Sequence, residues 1–363
     1  MVLSGCNAMS NWREAKPGIR PDLLQPAPGY RASVFATDIP KARHMVLTPR
    51  GTLFVGTFNG EVHALTLDGS RISSRRVVAT GLRNPSGVAF ANGTLYVADR
   101  TRIVRFVGIE DRLDSPPEPI TTVAGLPDNK RHDAHAMAVG PDGKLYVSVG
   151  APCDTCEAVN DEYGVIIRTE LNGTMREVVA RGIRNSVGFD WHPRTQELWF
   201  TDNGQDGLGT DKPNDELNRV TRAGENFGFP YCHDTSIVDP KFGAKRSCGE
   251  FTAPAMALGA RVAALGMRFV QMPDLKQGES SVLIARHGSH PPARVGYDVV
   301  RVRFDGDKPT RMETFLTGFL RGREYWGRPV DVLQLPDGSV LVSDDMNGAI
   351  YRVVATGSVA AGG

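Results

Sequence analysis

One pattern recurs along this chain and constrains its fold more than any other feature: an apolar run, a turn rich in Gly, Pro, Asp or Asn, and a second apolar run. It stands at VLTPRGTLFVG from Val46, VAFANGTLYVAD from Val88, MAVGPDGKLYVSVG from Met137 and VLQLPDGSVLVSD from Val332. A fifth copy centres on the turn HPRTQE, with Trp191 before it and Leu198, Trp199 and Phe200 after it. Successive side chains of an extended chain point to opposite faces, so each copy predicts two strands of an antiparallel hairpin. The runs SSVLIARHG and YDVVRVRFDG, within residues 280–306, supply a degenerate sixth copy. Early copies are spaced by about 42 to 51 residues, close to the four-strand period of a propeller blade. Five clear copies and one degenerate copy predict an all-β chain, a six-bladed β-propeller.

At 363 residues the chain is long for one globule, yet a ring of blades grows by repetition around an axis rather than by thickening one core. The 40 glycines and 24 prolines fit a turn after nearly every strand, and no heptad pattern or long apolar run competes. No linker divides the chain. Residues 30–356 are expected to form one propeller, between an N-terminal segment, 1–29, and a short tail, 357–363. A formal net charge of +1 selects no polyanion, so the expected partner is a small molecule and not nucleic acid.

The first residues include Leu3-Ser4-Gly5-Cys6, which looks like the site at which bacterial lipoproteins are cleaved and acylated, although the usual basic and apolar segment does not precede it. Acylation of Cys6, with residues 7–29 as a polar tether, predicts a periplasmic protein that meets a membrane only through that anchor. The other four cysteines fall into two local pairs, Cys153 with Cys156 and Cys232 with Cys248, as two disulfides of an exported protein would. A four-thiolate zinc site is the alternative. Against it, the second pair lacks zinc-knuckle spacing, and CDTCE lacks the histidine of a haem attachment motif.

The ordered set HDAHAMAVGPDGKLYVSVGA, RGIRN, GFDWHP, ELWFTDNGQD, DELN, GENFGFPYC and GRPVDVLQLPDG resembles the soluble glucose dehydrogenase and sorbosone dehydrogenase family, over roughly residues 30–355. Any one of these strings is common propeller grammar; their combination in this order is specific. The resemblance implies a propeller that holds pyrroloquinoline quinone (PQQ) and Ca2+ and oxidises a sugar-like alcohol or aldehyde, passing electrons to an acceptor the sequence does not identify.

Carried over residue by residue, the family's catalytic histidine falls on His132, eight positions before Gly140, with His135 as a close rival. A neutral imidazole there would take the hydroxyl proton while hydride leaves the same carbon. Arg184 and Asn185 match an Arg-Asn pair that faces the quinone oxygens, where a fixed cation stabilises developing charge. The same string recurs at Arg83 and Asn84 in GLRNPSGVAF, where it is expected to be blade structure. For the cofactor's carboxylates, Arg328 matches a family arginine and Arg286 stands where the glucose enzymes carry lysine.

The segment TDNGQDGLGTDKPNDELN has the carboxylates and flexible carbonyls that a hard cation prefers. The resemblance places calcium on the carbonyls of Gly204 and Gln205, and Asp215 with Glu216 matches the acidic pair that follows, as ligands or as a brace for the loop. Gln205 replaces a proline, which predicts a looser loop. Arg131 stands where the glucose enzymes tend to carry an acid, Val330 where they carry a second arginine, and no glutamine matches their first-blade quinone contact near Arg43 and His44. These departures put the chain nearer the sorbosone branch. Two other classes stay open: a calcium-dependent lactonase-type hydrolase, and a binding propeller with no catalysis.

Overall fold

The computed structural model describes residues 15–128, 131–290 and 293–357; Cys6 and most of the expected tail lie outside them. Six four-stranded antiparallel sheets follow one another along the chain. Blade 1 spans 42–79, blade 2 88–123, blade 3 137–181, blade 4 188–260 and blade 5 264–317. Blade 6 takes three strands from 329–355 and its outermost strand from Tyr30–Ala36, which pairs with Ala349–Ala355. The predicted six-bladed β-propeller is the fold. Each expected hairpin is present, and that around HPRTQE pairs Gly188–Trp191 with Leu198–Asp202. The degenerate copy differs: its two runs are the second and third strands of blade 5, Glu279–Arg286 and Asp298–Asp305. The first strand, Ala264–Val270, is separated from the second by the longer turn 271–278, which hides the repeat.

The reason for so many apolar residues is how the blades stack. The second strands, such as Thr52–Thr57, Thr94–Asp99, Leu198–Asp202 and Val340–Asp344, are buried along their whole length. A strand covered on both faces reads as a continuous apolar run, whereas the outer strand Arg71–Ala79 alternates. Six apolar clusters fill the gaps between consecutive blades. In one, Leu145, Val147 and Ile167 of blade 3 meet Ala89, Tyr96 and Ile103 of blade 2. Each such side chain contributes about 1.5–3 kcal/mol on burial. A seventh, axial cluster of Ala134, Val187, Leu265 and Val330, with Phe58 against it, plugs the central channel.

The segment expected to be a tether is bound to the ring over its described part. Gln25 and Pro26 pair with Thr317 and Leu316 at the edge of blade 5, and Leu23 is buried. Between the third and fourth strands of blade 4, residues 220–255 form an inserted flap. Part of it, Glu225–Asn226, adds a fifth, parallel strand to blade 3. The disulfides Cys153–Cys156 and Cys232–Cys248 are both formed, as their spacing predicts, which excludes the zinc alternative.

Candidate functional site

In an antiparallel four-stranded blade, the connection between strands two and three and the connection to the next blade emerge at the same end of the ring. At that end a cleft of about 220 Å³ opens over the axial plug. Its walls come from the two loop types: Arg131 to Ala134, Asn185, Val187 and Arg328 before first strands, and Phe58, Asn203, His287 and His290 after second strands. Arg43, at the start of blade 1, completes the wall.

A repeated device sets the arginines that enter this rim. The aspartate ending a second strand accepts the backbone N–H of the arginine entering the same blade: Asp99 from Arg83 at 2.8 Å, Asp202 from Arg184 at 2.9 Å and Asp344 from Arg328 at 2.9 Å. Blade grammar thus explains why Arg-Asn occurs twice, as the sequence suggested. The side chains diverge: that of Arg83 is 55% exposed, that of Arg184 only 7%.

His132 is buried against the cleft wall, and its Nδ1 donates to the Ala151 carbonyl at 2.7 Å. That bond fixes the tautomer with the lone pair on Nε2. Burial, then the charge of Arg184, lowers its pKa to about 4, so it is neutral across physiological pH. Gly150 permits this placement: a Cβ there would lie 2.5 Å from His132 Cβ. His135 has both ring nitrogens against backbone carbonyls, Ser148 at 2.7 Å and Arg100 at 2.8 Å. Its geometry is that of a core residue.

The cations are arranged differently from the expectation. Arg328 lines the cleft and is held by the carbonyls of His287 and Gly288. Arg286 does not reach it. Its guanidinium forms a fork with Asp298, directly opposite on the neighbouring strand, at 2.7 and 2.6 Å, and Nη1 donates to Leu258. Arg43 takes the place in the wall that the sequence left empty. It donates to Asp345 at 2.9 Å and lies over the Phe58 ring. Asp345 also meets His287 Nε2 at 2.9 Å; burial would raise this carboxyl, but His287 and Arg43 hold it low. A signal existed in the sequence, since Arg43 and His44 interrupt a strand otherwise apolar. Arg184 sits beneath the cleft, donating to Asn203 O and to both the carbonyl and carboxylate of Asp154. Asp154, inside the CDTC loop, carried no sequence signal beyond its cysteines.

A tricarboxylate quinone requires cations and polar atoms left free to bond it, and the cleft offers cations, one uncommitted donor and one uncommitted acceptor. Arg43, Arg131 and Arg328 face Asp133 as its one acidic residue among the described ones. Arg43 Nε and Asn185 Oδ1 are buried without a protein partner. An anionic cofactor with hydrogen-bonding edges fits these residues.

The calcium segment has a defined shape. Gly204 packs so closely that a Cβ would lie 2.8 Å from Pro213 Cγ. Gln205 does not leave the loop slack: its side chain accepts from Thr155 and donates to Asp239 at 3.2 Å, tying together the two disulfide-bearing loops. Asp215 accepts from Gly204 N at 3.0 Å and Ala264 N at 2.7 Å, and burial raises its pKa to about 7. Glu216 points to the other face, accepting from Asp234 N and Asn218, and is likewise raised by burial and then by Asp202. Both carboxylates are engaged by protein donors. Among the described residues, no three His, Cys, Asp or Glu side chains converge as a metal site.

Comparison with known proteins places this geometry. An uncharacterized protein of Borreliella burgdorferi is 31% identical over 344 residues, 90% of this chain and 89% of that one. The aldose sugar dehydrogenase of Escherichia coli is 28% identical over 187 residues, 50% of this chain and 45% of the enzyme. Among solved structures, the Trichoderma reesei family AA12 enzyme superposes with a TM-score of 0.81 at 20% identity, over 92% of this chain and 97% of that one. The PQQ domain of Coprinopsis cinerea pyranose dehydrogenase gives 0.76 at 17%, over 91% and 96%. Such identities speak for the fold alone. The family model for glucose / sorbosone dehydrogenase, however, matches residues 98–352, from the second strand of blade 2 to the last strand of the ring. With every cleft residue except Arg43 and Phe58 inside that span, this chain belongs to the glucose/sorbosone dehydrogenase family of oxidoreductases.

Proposed function

We propose that this protein is a PQQ- and calcium-dependent dehydrogenase of a sugar-like alcohol or aldehyde, of the sorbosone/aldose type, with His132 as its general base. The observation that carries the reading is the fixed tautomer of His132 in the wall of a cationic cleft. Because Nδ1–H is held by Ala151, the proton acceptor is Nε2, and the low pKa keeps it available at neutral pH.

The remaining residues bind and orient. Arg43 and Arg328 meet carboxylates of the cofactor, and Asn185 offers it a hydrogen-bonding amide beside the buried charge of Arg184. The backbone carbonyls of Gly204 and Gln205 hold the calcium ion, while Asp215 and Glu216 brace their loop and do not touch it. PQQ held by these residues would supply the acceptor for the two electrons that leave the sugar carbon. Two disulfides agree with an oxidising compartment, so we place the protein in the periplasm, with Cys6 as its candidate lipid anchor.

The test is an absorbance titration of the protein with PQQ, with calcium and with chelator, followed by a dye-coupled screen of aldoses, polyols and aldehydes. Tight, calcium-dependent binding and dye reduction by a sugar are expected. Equal binding with and without chelator rejects the Gly204–Gln205 site. Lactone hydrolysis without quinone supports a hydrolase instead, and no quinone binding at all supports a binding propeller.

A further inference from the structure

We infer that Asp154 is a positioning residue for Arg184 and that the Cys153–Cys156 disulfide keeps it in place; the inference rests on the reading of the cleft proposed above. Three residues of the stretch 151–156 touch the base, the buried arginine and the proposed metal loop. The Ala151 carbonyl accepts from His132, and Ala151 N donates to Arg184 O at 2.8 Å. Asp154 accepts from Arg184 Nε through its carbonyl at 2.9 Å and from Nη2 through its carboxylate at 2.5 Å. Thr155 Oγ1 donates to Gln205, on the proposed metal loop. The disulfide closes this segment upon itself between residues three apart.

The need for such a device follows from burial. A guanidinium 7% exposed cannot be solvated by water, and an unpaired charge there is costly. Three of its five N–H groups have protein acceptors, two of them supplied by Asp154. The charge on Asp154 is itself secured by the pair. Burial would raise its pKa, but Arg184 holds it below the usual range, so it is anionic at neutral pH. It also bridges outward to Arg131 at 3.3 Å, the residue beside the base. His132 is thus faced by Arg131 and Asp133 of its own loop, by Arg184 from blade 4 and by Asp154 from the disulfide-closed loop. Asp154 lies against both arginines, at shorter range than Asp206, which is 3.7 Å from Arg131 and 3.9 Å from Arg184.

A tetrapeptide loop free to open would not hold one carboxylate against one guanidinium. Closing it covalently removes that freedom before any ligand binds, which is preorganisation of the cation. In this arrangement Asp154 never contacts the reacting atoms. It acts through Arg184 and through the local potential at His132.

The test compares Asp154→Asn, Asp154→Glu and the double variant Cys153→Ser/Cys156→Ser with the native protein. In cofactor-free protein, hydrogen exchange at Arg184 Nε–H, followed by guanidinium nitrogen NMR, should be slow in the native chain and at least tenfold faster in the double variant. PQQ affinity should fall about tenfold in Asp154→Asn, with Asp154→Glu recovering part of it. The acid limb of the pH–rate profile should move to lower pH in Asp154→Asn, because one of the anions that offset Arg131 and Arg184 around His132 is lost while both cations stay. A purely structural Asp154 would lower the melting temperature and leave Arg184 exchange, quinone affinity and the acid limb unchanged, which would overturn the inference. If Arg184 exchange quickens in the double variant while native protein binds no quinone, the positioning role stands and the reading of the cleft falls.

Discussion

At His132, one hydrogen bond decides which nitrogen can act as a base, and the consequence is measurable. His132→Ala should slow substrate-driven reduction of the bound cofactor by about 10²- to 10⁴-fold and leave PQQ affinity nearly unchanged in stopped-flow and titration experiments. His135→Ala should act instead on stability, lowering it by about 1–3 kcal/mol in urea unfolding, because the Ser148 and Arg100 carbonyls lose their partner. The pH dependence has a definite sign. A base with its pKa lowered to about 4 is active above that value, so kcat/KM should stay level from pH 7 to about 5 and fall as pH drops through about 4. An acid limb near pH 6.5 would mean that another group is the base. The arginines separate in the same way. Arg43→Ala and Arg328→Ala should each weaken PQQ binding by tenfold or more, whereas Arg286→Ala should leave binding near native and destabilise blade 5 by stranding Asp298. The placement of Arg286 marks what a sequence motif does not carry. The register that sets it against Asp298 is a cross-strand property twelve residues away, invisible in the motif ARHGSH. Asp154 was hidden for the converse reason, since it belongs to no recurring string.

Among the elements, the hairpin is the unit that was legible. Alternation around a Pro-Asp-Gly or Asn-Gly turn is a local property, and local properties survive in sequence. Where the turn lengthens to residues 271–278, the first strand of blade 5 escaped detection while its second and third did not. The aspartate that closes the second strand in blades 2, 4 and 6 is a further element-scale rule, and it divides structure from function. Asp99→Ala should cost about 1–3 kcal/mol of stability by orphaning Arg83 N and leave turnover per folded molecule unchanged. Asp344→Ala should cost a similar amount and in addition raise the KM or weaken cofactor binding, because the backbone it holds carries Arg328 into the cleft. Equal behaviour of the two variants would show that the rim tolerates a shifted Arg328. Gln205 makes a related point: a residue that replaces proline in a loop need not slacken it when both ends of its amide are tied, to Thr155 and Asp239.

The whole molecule is a ring closed by its own ends. Tyr30–Ala36 is the outer strand of the blade whose other strands come last, and Thr356 Oγ1 donates to Gly29 O across 327 positions of sequence. Removing residues 1–36 should therefore leave blade 6 with a bare edge and abolish cooperative unfolding, measured by circular dichroism. Removing residues 1–14 should leave the transition in place. The same closure has a consequence in time. At about 5–20 residues per second, the ribosome needs roughly 15–65 s to make the strand that pairs with Tyr30–Ala36. Throughout that interval YRASVFA, with one charged residue, is an unpaired edge of the kind that recruits other chains. Of the strands that build the blades, this one is made before its partners and is the last to be sheltered, and the yield of native protein depends on what shields it while it waits.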